Sequence, residues 1–260
     1  MSSTDSTVAF DLTDGVATLR INRPEARNAI NAAAMTDLRA LLDQTAADDA
    51  VRCVVLTGTG KVFSAGADLK DAAAGSEGSF AAAGPEAMAA LLAAIVEHPK
   101  PTIAAVQGDV FGGGNGLVAA CDLSVAADGV RFAFSEVRLG LTPAVIAVVC
   151  LPKMKRADAM ELFLFGERVS ADRVRRAGLI NAVVAPESLQ QQLDEWTGLL
   201  GKGGPLALSG CKDLINMVPG MSRPEAIEFT AELSGTFFRS EEAAEGIGAF
   251  LQKRPPRWAQ

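Results

Sequence analysis

A lone acidic residue, Glu136, stands in Phe134-Ser-Glu-Val-Arg-Leu-Gly140, downstream of the glycine turn Phe111-Gly-Gly-Gly-Asn-Gly-Leu117. Consecutive glycines let a main chain approach a ligand closely and then start a helix, whose first N–H groups are unpaired and attract negative charge. Phe63-Ser-Ala-Gly-Ala-Asp-Leu69 repeats the arrangement earlier in the chain: apolar residues, a glycine break, then small residues. Two such turns meeting over one carboxylate would supply main-chain donors for a developing oxyanion and a side chain able to move a proton. That is the equipment of an enzyme.

Each feature alone also has an ordinary explanation. A triple glycine is more often a flexible or tightly packed turn than a ligand site, and Ser64-Ala-Gly-Ala67 reads equally well as a turn. Glu136, on spacing alone, points slightly more to solvent from a strand end than into a site. A dinucleotide-binding reading fails because no GxGxxG follows the first strand. The single histidine, His98, precedes Pro99 at a helix end and reads as a capping or surface residue; one histidine excludes a His-rich metal site.

The elements that must position these residues follow from pattern. Residues 8–12 and 16–22, separated by Thr13-Asp-Gly15, form a β-hairpin, and Asn31 caps a helix running to Ala47. Residues 51–57 and 102–107 are buried strands, the second leading into the glycine turn and a short helix to Ala120. Residues 72–84, rich in Ala, Gly and Ser, read as a mobile loop before a helix from Pro85 to Glu97. Short strands follow at 123–127 and 130–134. Beyond Pro143 the pattern is helical (143–150, 155–165, 170–177, 186–200, 205–218, 222–239, 241–252) with one strand at 179–184. Strands alternating with helices, then helices alone, imply an α/β core (1–195) followed by a helical segment (196–260).

Composition bounds the rest. The 260 residues are 49% hydrophobic and 21% charged, within the ordinary globular range. The net charge of −7 argues against general nucleic-acid binding. No apolar run approaches the roughly 18 residues needed to span a bilayer. The polar start Met1–Thr7 lacks the order of a signal peptide, and Cys53, Cys121, Cys150 and Cys211 are scattered without metal-ligand spacing, so buried thiols in a reducing cytoplasm are expected.

Taken in order, several motifs resemble the crotonase superfamily, the enoyl-CoA hydratase/isomerase family, over nearly the whole chain. They are Asn22-Arg-Pro-Glu-Ala-Arg-Asn28, Phe63 through Lys70, Gly108 through Asp122, Phe134 through Gly140, Arg176-Ala-Gly-Leu-Ile-Asn181 and Lys253-Arg-Pro-Pro-Arg-Trp258. The resemblance implies an α/β spiral of repeated ββα units with a C-terminal helical trimerisation region, assembled as a homotrimer or a hexamer built as a dimer of trimers. It implies an acyl-CoA thioester as substrate and no cofactor beyond the coenzyme A carried by that substrate. The Ala67 and Gly113 N–H groups would form the oxyanion hole, with Glu136 as base. Arg27, Ala65, Gly66, Asp68, Leu69, Lys70, Gly112, Gly116 and Lys253 would line the substrate and CoA path, Lys253 reaching CoA phosphates. Burial between Phe134 and Val137 would raise the Glu136 pKa.

At one position the chain departs from the family pattern. Well-studied hydratases place two glutamates on the substrate, and the second falls at Gly116. One glutamate at the Glu136 position also occurs in the family's Δ3,Δ2-enoyl-CoA isomerases. The run from Ser135 to Ile146 looks more like the branch containing methylglutaconyl-type hydratases, some of which have glycine there too. The expectation is a hydratase acting on a 2-enoyl-CoA, in which either Glu136 both activates water and protonates the α-carbon or another acid substitutes, Asp109 being the nearby guess. The isomerase is one alternative. A catalytically silent acyl-CoA-binding protein, from a different functional class, is another.

Overall fold

The computed structural model describes residues 6–70 and 80–259. The hairpin forms as β1 (Val8–Thr13) and β2 (Val16–Ile21), and Asp14 and Gly15 hold φ angles of 50° and 76° in its two-residue turn. Asn31 caps α1 (Ala32–Ala47): its side-chain oxygen accepts the Ala34 N–H at 3.0 Å, and Ala34, Met35, Leu38 and Leu42 turn inward.

The chain then alternates between two sheets. β3 (Cys53–Gly58) is followed by β4 (Val62–Ser64) and α2 (Phe80–Val96); β5 (Thr102–Val106) by β6 (Asp109–Phe111) and α3 (Gly113–Ala120); β7 (Leu123–Ala127) by β8 (Arg131–Ala133) and α4 (Ala144–Cys150). α5 (Arg156–Phe165), β9 (Val169–Ser170), α6 (Ala171–Ala177) and β10 (Ala182–Val184) complete the core. The larger sheet runs β1-β2-β3-β5-β7-β10, parallel beyond the hairpin, and the smaller runs β4-β6-β8-β9. This strand–strand–helix recurrence is the ββα repeat that the resemblance implies. β3 and β5 are buried along their whole length, which is why they read as unbroken apolar runs. Phe63, Phe132 and Phe134 are fully buried and bring the smaller sheet into the main core.

Four helices close the chain: α7 (Leu189–Gly201), α8 (Pro205–Met217), α9 (Arg223–Phe238) and α10 (Glu241–Leu251). α7 packs Leu189, Leu193, Trp196 and Leu200 against Val55, Ile103, Ala105 and Val125 on the outer face of the larger sheet. The expected boundary at residue 195 falls inside this continuous helix. α8 is anchored by Lys212, whose Nζ lies 2.7 Å from Asp122 Oδ2; the same oxygen accepts the Thr102 N–H at 2.7 Å and hydroxyl at 3.0 Å.

Several expectations need correction. Helix α2 begins at Phe80 and runs through Pro85, because the alanines around Pro85 favour helix and a proline near the first turns forfeits only one backbone bond; the remainder of the expected loop, 72–79, lies outside the described residues. His98 is buried rather than on the surface, with Nε2 3.2 Å from Thr45 Oγ1 and Nδ1 accepting the Lys100 N–H at 3.2 Å. Burial holds its pKa below the ordinary histidine value. Glu136 lies not on a strand end but in a 3-10 turn, Ser135–Leu139. Cys53, Cys121 and Cys150 are buried and Cys211 is exposed. Among the described residues no helix is long and apolar enough to cross a membrane, and no His, Cys, Asp or Glu cluster could hold a metal ion.

Candidate active site

The two glycine turns meet. Gly66 holds φ +85° and Gly112 φ +51°, a region that side-chain-bearing residues avoid. A methyl group at Gly66 would lie 2.8 Å from the Phe111 carbonyl oxygen and 3.1 Å from the Gly113 nitrogen; one at Gly113 would lie 3.9 Å from the Ala67 nitrogen. The backbones therefore touch where only glycine fits, and the amides at 67 and 113 become neighbours.

Among the described residues neither amide is given a hydrogen-bond acceptor. On either side of Ala67 the hydrogen bonds go to Ile30, whose N–H donates to the Gly66 carbonyl at 2.8 Å and whose carbonyl accepts the Asp68 N–H at 3.0 Å. Ala67 itself has no acceptor among the described residues. Gly113 is the first residue of α3, where a helix N–H has no partner within the helix. Asn115 fixes the turn through Nδ2, which donates to the Gly112 carbonyl at 3.1 Å and the Ala133 carbonyl at 2.9 Å.

The first turn is held by residues whose roles the sequence does not announce. Asn28 is fully buried: its amide donates to the carbonyls of Thr59 at 2.9 Å and Val62 at 2.6 Å, and its oxygen accepts the Arg23 N–H at 2.9 Å. Ser64 Oγ donates to the Asn28 carbonyl at 3.0 Å and accepts the Gly66 N–H at 3.2 Å. Asp68, expected along the CoA path, forms an ion pair with Arg23 at 3.0 Å and accepts the Lys70 N–H at 3.2 Å. Leu69 is exposed, and the Ala65 N–H donates to the Arg27 carbonyl at 3.0 Å.

Glu136 faces the second turn. A methyl group at Gly112 would stand 3.4 Å from its Oε1, while Oε2 is buried with no hydrogen-bond partner. Burial raises its pKa, against a smaller opposing pull from a backbone hydrogen bond. Phe134, two residues before Glu136, is buried and packs against Phe163 with ring centres 4.6 Å apart and planes tilted by 36°. An orphaned buried carboxylate oxygen beside two orphaned amides is an arrangement for moving a proton next to a developing oxyanion.

Gly116 lies one helical turn past Gly113, and a methyl group there would meet Ile146 Cγ2 at 2.4 Å and Leu92 Cδ1 at 3.5 Å. Ile146 therefore fills the space a second carboxylate would need, and with Met88 and Leu92 it makes an apolar wall beside the turn. Asp109 is turned to the Arg131 N–H at 2.8 Å, at the opposite end of β6 from the glycines. Lys253 sits past α10 with φ 53°, and no described contact ties it to the two turns.

Known proteins are similar to this chain along almost its whole length. A sequence model of the family described as enoyl-CoA hydratase/isomerase matches residues 11–260. The carnitinyl-CoA dehydratase of Citrobacter koseri is 36% identical over 248 residues, covering 92% of this chain and 93% of its own. The crystal structure of an enoyl-CoA hydratase from Mycobacterium smegmatis superposes with a TM-score of 0.91 at 33% identity, covering 98% of this chain and 99% of that one. An enoyl-CoA hydratase/isomerase from Marinobacter aquaeolei gives 0.92 at 30% identity, over 98% and 99% of the two chains.

Proposed function

The chain belongs to the enoyl-CoA hydratase/isomerase family, and from that premise we propose that it adds water across the double bond of a 2-enoyl-CoA thioester. The observation that carries the reading is the buried, unpartnered Glu136 carboxylate oxygen beside the adjacent free amides of Ala67 and Gly113. Glu136 takes a proton from water as the water oxygen bonds to C3. The C2–C3 π electrons move toward the thioester carbonyl, whose oxygen gains the enolate charge under the two N–H groups. The protonated Glu136 then delivers its proton to C2 and the carbonyl re-forms. One carboxylate thus serves both halves of the addition, and no cofactor is required. A preorganised N–H donor of this kind is worth about 2.7–4 kcal/mol to such a charge.

The names of the similar hydratases and of the carnitinyl-CoA dehydratase support hydration. The Ile146-filled space at Gly116 favours a second reading, the Δ3,Δ2-enoyl-CoA isomerase, in which the same carboxylate carries one proton between C2 and C4 without bound water. Incubation with 2-enoyl-CoA and 3-enoyl-CoA separates them: hydration adds the mass of one water, and isomerisation adds none. Glu136→Gln should lower either turnover about 10²–10⁴-fold. Near-native turnover by that variant overturns the assignment, and CoA-ester binding without any turnover of wild type leaves only the silent binding protein.

A homotrimer, or a hexamer of two trimers, fits the C-terminal helices, which leave Ile215 73%, Ile227 64%, Phe238 75% and Phe250 82% exposed in the single chain. Light scattering tests that assembly.

A further inference from the structure

Each proposed oxyanion donor belongs to a peptide group whose carbonyl side is engaged. The Ala67 N–H shares its peptide with the Gly66 carbonyl, which accepts the Ile30 N–H at 2.8 Å. The Gly113 N–H shares its peptide with the Gly112 carbonyl, which accepts two hydrogen bonds, from the Asn115 main chain at 2.9 Å and from Asn115 Nδ2 at 3.1 Å. In a trans peptide the N–H and C=O point in opposite directions, so fixing the oxygen aims the hydrogen. The restraint matters most at Gly113. That peptide has glycine on both sides and would flip against little steric resistance.

Asn115 also reaches toward the proposed base. Its Nδ2 donates to the Ala133 carbonyl at 2.9 Å, and the same carbonyl takes the Gly112 N–H at 3.0 Å. Ala133 ends β8, three residues before Glu136. One carboxamide therefore joins the Gly112–Gly113 peptide to the strand that leads into Glu136. The Asn115 side chain is completely buried, and its Oδ1 has no partner among the described residues. Turning the amide over would set that oxygen against two carbonyl oxygens, so its orientation is fixed. A buried oxygen without a hydrogen bond is a burden that alanine would not carry, and the double donation by Nδ2 is what offsets it.

We propose that Asn115 is a positioning residue: by occupying the carbonyl of the donor's own peptide it aims and polarises the Gly113 N–H, and it fixes that donor relative to Glu136. The inference rests on the proposed function, which makes Gly113 an oxyanion donor. Hydrogen bonds accepted by a peptide carbonyl strengthen the N–H of the same peptide as a donor, because bonds in such a chain polarise one another.

Raman difference spectroscopy of a bound saturated acyl-CoA, isotope-labelled at its thioester carbonyl and unable to be hydrated or isomerised, tests this. Binding to wild type should lower the carbonyl stretching frequency, and Asn115→Ala should lose a large part of that shift. Asn115→Ser should recover part of it, because a helical serine hydroxyl donates back to the carbonyl three or four residues earlier. Glu136→Gln, which removes the base and spares the donor, should keep the wild-type shift. With a 2-enoyl-CoA, kcat of Asn115→Ala should fall about 10–10²-fold with KM little changed, below the roughly 10²–10³-fold cost of deleting an oxyanion donor. Asn115→Ala should fold, since the Gly112 and Ala133 carbonyls each keep a main-chain donor; if it does not, Asn115→Val, which also lacks a donor, takes its place. A folded variant with the wild-type carbonyl shift overturns the positioning role, whether or not kcat falls. Wild type that binds the acyl-CoA without any shift overturns the oxyanion reading of Ala67 and Gly113, and wild type that binds no acyl-CoA overturns the proposed function; the positioning role falls with either.

Discussion

Replacing Gly116 with alanine puts a methyl group 2.4 Å from Ile146 Cγ2, 2.9 Å from its Cβ and 3.5 Å from Leu92 Cδ1. Carbon atoms in contact prefer about 3.5–4.0 Å, so Ile146 must retreat by roughly 1 Å or more. Ile146 is only 3% exposed, and Val149 and Cys150 are buried on the same short helix, so the retreat moves α4 and not one rotamer. Overpacking of this kind costs about 1–3 kcal/mol. Ile146→Ala leaves a cavity instead and costs about 2–5 kcal/mol. In the double variant the new methyl group occupies part of the vacated space, so the two changes should couple favourably by about 1–2 kcal/mol. Urea unfolding of all four proteins, at one fixed protein concentration and comparing midpoint and slope, measures that coupling. Additivity within about 0.5 kcal/mol would refute the claim that Ile146 occupies the space beside position 116. With the coupling confirmed, Gly116→Glu combined with Ile146→Ala installs a second carboxylate, and hydration of a 2-enoyl-CoA should rise relative to isomerisation of a 3-enoyl-CoA.

Glu136 ties catalysis to pH. Its folded-state pKa is raised by burial, so between the unfolded and folded values the folded protein holds the extra proton, and stability falls as pH rises through the folded pKa. Glu136→Gln should therefore raise the melting temperature at pH 7 and leave it unchanged below the ordinary glutamate pKa; an unchanged melting temperature at pH 7 would contradict the burial argument. The wild-type kcat/KM should climb with pH through the same raised value, because the base must be ionised, and a profile flat down to the ordinary glutamate range would count against it. Lys212→Met removes the ammonium that joins α8 to Asp122. A loss of about 1.5–3 kcal/mol in urea unfolding is expected, together with earlier proteolytic cleavage among the C-terminal helices.

Much of this arrangement was legible in the chain. The Asp14-Gly15 turn, the Asn31 cap and the buried strands each carry a local signal, and the glycine turns with Glu136 identify the candidate site in order. The second sheet was not legible, because Val62–Ser64 and Asp109–Phe111 are three residues each, too short for a period-2 pattern to declare itself. The start of α2 was hidden by Pro85, which reads as a helix beginning although the helix passes through it. His98 looked like a surface residue because the pocket made by Thr45 and Lys100 closes only in three dimensions. Gly116 and Ile146 are thirty positions apart, and Gly66 meets Gly113 only where the two turns converge. No spacing rule on one sequence connects such pairs.

The meeting of Gly66 with Gly112 and Gly113 has a consequence for how this site tolerates change. The proposed donors at 67 and 113 act through the peptide group, so exchanging the Ala67 methyl for another small side chain leaves the donor intact, whereas any side chain at Gly66 would push into the neighbouring backbone. A saturation-mutagenesis map would therefore be permissive at the donor and intolerant one position before it. Only amide-to-ester exchange at 67 or 113 would delete the N–H while sparing the surrounding contacts.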